Sequence, residues 1–230
     1  MRELVLVAHG TRKPDGVAMI GHLADRVSTS LGRRVRVAFV DVLGPTPADV
    51  LAALDGRRAV LVPAFLSSGY HVRNDIPEYV EASGHPDVTV TPALGPCPQM
   101  VRVVTERLIE SGWQPDDSVV LAAAGTSDLN AQRDLRVTAT LLSAALGNRV
   151  ELAYAATGEP RVADAVARLR ERGAGRVVVA SYLLADGLFQ DRLRTSGADV
   201  VTEPLGLHPG TVRLIASRFR RAVVPSLMSA

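Results

Sequence analysis

Leu4-Val5-Leu6-Val7-Ala8-His9-Gly10-Thr11-Arg12 is the stretch that decides the fold of this chain. Leu4–Ala8 is a short apolar run with no polar alternation, the pattern of a parallel strand covered on both faces. It stops abruptly at His9-Gly10-Thr11. In open α/β sheets ligands bind beyond the carboxyl ends of the strands, so a histidine at such a tip projects toward a binding crevice.

Outward from this run, strand and helix patterns alternate. Strands read at 3–8, 35–40, 59–65 and 88–91. A helical period runs through Val17, Ile20, Ala24, Val27 and Leu31. Thr46-Pro47-Ala48-Asp49 reads as a helix start, with a capping hydroxyl, a proline at the first position and an acid at the third. Asn74 or Asp75, with Pro77 and Glu78, reads as another, which leaves His71 in the loop before it. A further helix reads at 98–111. After a Gly-, Pro- and Asp-bearing linker at 112–117 the series restarts, with strands at 119–123, 149–155, 176–182 and 200–202. The fold class is therefore α/β, two tandem similar domains, each a parallel sheet flanked by helices and joined by right-handed crossovers. The expected boundaries are 1–114 and 115–230, with a cleft between the domains.

The restart is an internal repeat. Ala8-His9-Gly10-Thr11 matches Ala123-Ala124-Gly125-Thr126, and Leu94-Gly95-Pro96-Cys97-Pro98 matches Leu205-Gly206-Leu207-His208-Pro209. Agreement between the halves marks residues that serve the fold. Disagreement in polarity marks residues that serve chemistry. His9 faces Ala124, Asp41 faces Ala156, and His71 falls opposite Leu188 or Phe189. All three follow strands of the first half, so the expected metal site is His9, Asp41 and His71, with the second half lacking ligands. Two imidazoles and a carboxylate suit a borderline divalent ion such as Fe(II), Co(II) or Ni(II). Three protein ligands leave positions open for chemistry. Of the other histidines, His22 and His85 read as surface residues and His208 as a strand-end residue facing the cleft.

Bulk composition narrows the class. The net charge is +2, Lys13 is the only lysine, and the arginines are interleaved with acids. Aromatic residues make up 4%, too few for base-stacking platforms, so nucleic-acid binding is not expected. One cysteine, Cys97, excludes an internal disulfide and any cysteine-rich metal cage. No apolar run approaches the ~20 residues of a membrane span. The start of the chain reads Met-Arg-Glu and then strand, with no signal-peptide pattern. A cytoplasmic protein without membrane association is expected.

Ala8-His9-Gly10-Thr11-Arg12, taken with Phe65-Leu66-Ser67-Ser68-Gly69-Tyr70-His71-Val72-Arg73-Asn74-Asp75-Ile76-Pro77, resembles the class II chelatases of the CbiX/SirB type. These are the sirohydrochlorin ferrochelatases and cobaltochelatases. The resemblance covers essentially the whole chain, including the duplication. It implies a lyase that inserts Fe2+ or Co2+ into a tetrapyrrole for siroheme or cobalamin biosynthesis, with no organic cofactor and the metal as substrate. It makes His9 and His71 the catalytic, metal-handling pair. Asp41 stands where family members often carry glutamate, one methylene longer. The tetrapyrrole partner carries carboxylates, for which Arg12 and Arg73 are the expected counter-charges. Ser67, Ser68, Gly69 and Tyr70 are expected to line the substrate, with Arg133 and Arg136 further candidates in the second half. The sequence leaves open iron or cobalt and which histidine takes a proton. With both domains in one chain, a monomer is sufficient.

Two other readings compete. A non-catalytic metal or tetrapyrrole carrier would use the same ligands. A histidine-phosphatase-type hydrolase would need an arginine where Ala8 stands.

Overall fold

The opening apolar run becomes β1 (Glu3–Ala8), whose last five residues are all buried. A computed structural model describes residues 2–11 and 13–223. Around β1 the chain lays down α1 (Pro14–Leu31), β2 (Val35–Phe39), α2 (Pro47–Ala52), β3 (Ala59–Pro63), α3 (Ile76–Ala82) and β4 (Val88–Val90). α4 (Pro98–Glu110) then leads to the second series. That series is β5 (Ser118–Gly125), α5 (Leu129–Leu146), β6 (Val150–Thr157), α6 (Val162–Glu171), β7 (Val177–Tyr182), α7 (Leu188–Arg194), β8 (Val200–Val201) and α8 (Pro209–Val223).

Each series makes one parallel sheet of four strands, in the orders β2-β1-β3-β4 and β6-β5-β7-β8. The central strands are mostly apolar and buried, as expected where helices cover both faces of a parallel sheet. In the first sheet Val5, Val7, Ala38, Leu51, Leu54, Leu61 and Ile76 form one core cluster. In the second, Val120, Ala122, Ala153, Ala165, Val177, Val179 and Leu193 form its counterpart.

Helix ends follow local chemistry. Thr46 caps α2 as read: its hydroxyl accepts from Asp49 N–H at 3.2 Å, and the Asp49 carboxylate accepts from Thr46 N–H at 2.9 Å. Asp128 caps α5 by accepting from Asn130 and Ala131 N–H at 2.8 and 3.0 Å. Among the described residues no helix is long and apolar enough to cross a membrane.

The contacts within the chain group two of its helices differently from the sequence repeat. The compact units are Met1–Leu94 with Val212–Ala230, and Gly95–Thr211. The sequence repeat is intact, but α4 packs in the unit of the second sheet and most of α8 in that of the first. Backbone carbonyls hold both helices in place. Arg107 Nε on α4 donates to Pro204 O at 3.1 Å. Arg218 and Arg220 on α8 donate to Ala93 O at 3.2 Å and Ser30 O at 2.9 Å. Apolar periodicity shows that a helix has a face to bury, but not which sheet covers it.

One expectation needs correction, in the loop before α3. His71–Asp75 is already helical, as a π turn in which Ile76 N–H donates to His71 O, five residues back.

Candidate functional site

The strand order places the site. In the first sheet β1 lies between β2 and β3, so the chain reverses its winding direction between β1 and β3. That switch point is where open α/β sheets leave a crevice. His9 follows β1 and His71 follows β3, one on each side of it. Their rings meet edge to face, with centroids 4.6 Å apart and planes at 86°. The imidazole of His71 is one-third exposed and that of His9 is exposed.

Each ring is anchored through Nδ1. His9 Nδ1 lies 3.1 Å from Gly10 O, and His71 Nδ1 lies 2.5 Å from Asp75 Oδ2. Asp75 is the partner of His71 that helix-start reasoning missed. The signal available was its spacing: residues four apart share a helical face, and the π turn brings His71 into the helix.

Gly10 has φ +98°, and a Cβ there would sit 2.1 Å from Asp41 O. Glycine therefore lets the β1 loop close onto the β2 loop. Val40 N–H donates to Ala8 O and Asp41 N–H to His9 O, both at 3.0 Å. The repeat reproduces this contact: Gly125 has φ +106° and lies equally close to Thr157 O.

Asp41 follows β2, on the far side of β1 from the switch point. Its Oδ1 accepts from Val42 N–H at 2.7 Å, a bond within its own loop. Among the described residues no three His, Cys, Asp or Glu side chains converge closely enough to hold a metal ion. The structure thus brings His9 and His71 together and leaves Asp41 outside the pair.

The other candidates surround His71. Ser67, Ser68 and Gly69 are half-buried in the loop after β3. Tyr70 is 57% exposed, its ring centroid 6.3 Å from that of His71. Phe65 backs His71 at 6.1 Å. Arg73 Nε donates to Ser68 O at 3.0 Å, tying the loop to the π turn. Arg12 lies outside the described residues. Tyr79 on α3 donates its hydroxyl to Val40 O at 3.1 Å, joining the helix after His71 to the loop after β2.

His208 serves the fold. It is 4% exposed, its Nδ1 accepts from Gly210 N–H at 3.0 Å, and its Nε2 lies 3.3 Å from Glu110 and 3.6 Å from Glu106. Burial pushes the Glu110 carboxyl up, but Arg107 and His208 outweigh it and hold it below the ordinary range.

The family model of CbiX matches residues 3–111 and again 118–222. The chain belongs to the CbiX family. The two matched segments are the two halves of the internal repeat, and the CbiX match spans both sheets. Curated relatives include the sirohydrochlorin ferrochelatase of Priestia megaterium, 24% identical over 96% of this chain and 90% of that one. The sirohydrochlorin cobaltochelatase of the same organism is 26% identical over 84% of this chain and 67% of that one. Among solved structures, SirB from Bacillus subtilis with Fe3+ superposes with a TM-score of 0.82 at 20% identity, covering 96% of this chain and 95% of that chain. At that identity the likeness is one of fold.

Proposed function

We propose that this CbiX-family chain is a sirohydrochlorin chelatase, a lyase that inserts Fe2+ or Co2+ into the tetrapyrrole. The observation that carries the reading is the edge-to-face pair of His9 and His71 at the switch point of the first sheet. The names of the two Priestia megaterium relatives support the substrate and both metals.

Insertion exchanges two pyrrole N–H protons for one divalent ion. It needs donors that replace water around the ion and a group that takes up protons. Neutral imidazole does both near physiological pH. His9 and His71 are the residues we assign to these tasks. Asp41 joins as a third ligand by turning its carboxylate away from Val42 N–H. Tyr70 offers an exposed ring to the macrocycle, and Arg73 a guanidinium to its carboxylates. Ser67, Ser68 and Gly69 line the same loop. No step in this scheme calls for an organic cofactor.

The test is anaerobic insertion of Fe2+, then Co2+, into sirohydrochlorin, followed by absorbance against a no-enzyme control. Wild type is expected to exceed the control and the His9→Ala/His71→Ala variant to match it. The ratio of the two rates names the preferred metal. A wild type that binds sirohydrochlorin yet only matches the control overturns the reading in favour of a carrier.

A further inference from the structure

Asp75 occupies the residue before α3, the place where an aspartate ordinarily accepts the first free N–H groups of a helix. It caps nothing: its side chain makes no capping hydrogen bond. The π turn of His71–Asp75 runs straight into α3, so Asp75 itself has helical φ and ψ. Its carboxylate, 21% exposed, turns back one turn to His71 Nδ1 at 2.5 Å. A carboxylate only accepts, so this contact places the imidazole hydrogen on Nδ1 and the lone pair on Nε2.

The second half shows that the two residues go together. Depending on a one-residue gap, the counterparts of His71 and Asp75 are Leu188 and Arg192, or Phe189 and Leu193. In either register the imidazole and the carboxylate are both replaced, while the helix survives as α7. A carboxylate needed only to start the helix would have no reason to vanish with the histidine.

From this geometry we infer that Asp75 is a positioning residue for His71: it fixes the Nδ1–H tautomer and the ring plane so that Nε2 is the atom presented to the incoming metal ion. The inference rests on the reading of His71 as metal-handling. It also makes the pair unequal. His71 is backed by an anion, whereas His9 Nδ1 faces the neutral carbonyl of Gly10 at 3.1 Å. A carboxylate behind a ligating imidazole raises its donor strength, and losing such a partner typically costs 10–100-fold in metal affinity. His71 is thus the stronger holder of the ion and His9 the weaker.

The test uses the full chain with Co2+ as the probe, in wild type, Asp75→Ala and Asp75→Asn. Three quantities are read: the His71 tautomer from imidazole 15N shifts, the Co2+ affinity by titration, and the melting temperature. Wild type is expected to show Nδ1–H at His71. Asp75→Ala is expected to lose that tautomer and about 10–100-fold in Co2+ affinity. Asp75→Asn, whose amide oxygen still accepts from Nδ1, is expected to keep the tautomer with a smaller loss. It keeps the test informative where Asp75→Ala does not fold. An unchanged tautomer and Co2+ affinity in Asp75→Ala overturns the inference, and so does a lower melting temperature as the only effect. In Asp75→Asn, Co2+ affinity equal to that of wild type overturns the anion's part in it. Failure of the wild type to insert metal would strike the chelatase reading while leaving the tautomer result intact.

Discussion

Replacing Gly10 by alanine tests how the site is held open. The new Cβ would lie 2.1 Å from Asp41 O, where real Cβ atoms keep at least 3.0 Å, so the β2 loop must retreat by nearly 1 Å. The backbone at φ +98° is itself unfavourable for alanine, at a cost of ~1–3 kcal/mol. Retreat also strains the bonds from Val40 N–H to Ala8 O and from Asp41 N–H to His9 O, each worth about 1 kcal/mol net. The sum is ~3–5 kcal/mol. It falls on the loop that carries His9, so metal insertion should fall with stability. Gly125→Ala is the matched control: its Cβ would meet Thr157 O at 2.0 Å with φ +106°, in the unit that lacks His9 and His71. Urea denaturation followed by circular dichroism, with insertion rates measured well below the transition, separates the two. Both variants should lose stability, but only Gly10→Ala should also lose insertion in its folded state. A Gly10→Ala loss under about 1 kcal/mol, or insertion lost equally in both folded variants, would refute the reasoning.

Further expectations follow from single contacts. Thr46→Ala removes the α2 cap and should cost about 1 kcal/mol, read as a melting temperature roughly 2–4 °C lower. Asp199 is held below the ordinary carboxylate value by Val177 N–H and then by the Arg170 guanidinium. It therefore contributes stability above about pH 4, and loses it as the pH falls through the depressed folded value. Melting temperatures at pH 6 and pH 3.5 should differ less in Asp199→Asn than in wild type. Asp41→Ala, whose carboxylate bonds Val42 N–H, should weaken Co2+ binding less than either His9→Ala or His71→Ala. A loss equal to theirs would give Asp41 full standing as a ligand.

The parts of this protein legible in its sequence are those governed by local or periodic rules. The unbroken apolar runs of β1 and β3 announce strands buried on both faces. Thr46-Pro47-Ala48-Asp49 announces the cap it forms. Comparing the halves singles out His9, Asp41 and His71, because duplicated strands share sequence wherever only the sheet constrains them. What stayed hidden depends on tertiary context. The apolar face of α4 carries Met100, Val101, Val103, Val104 and Leu108, and any sheet could bury it. The π turn at His71 comes from widened backbone hydrogen bonds such as Ile76 N–H to His71 O, which leave no compositional trace. Asp75 reads as a cap until that turn is seen. Asp41 reads as equivalent to the histidines until the strand order puts it across β1 from the switch point.

The central claim is that the His9–His71 pair receives the metal ion. It is tested most directly by crystals grown with Co2+, with the ion located by anomalous scattering. The account predicts cobalt bonded to Nε2 of both His9 and His71 at about 2.0–2.2 Å, as for other imidazole-bound divalent ions. Cobalt bound through Nδ1 of either ring, or held elsewhere, such as at Glu106 and Glu110 beside His208, would contradict it.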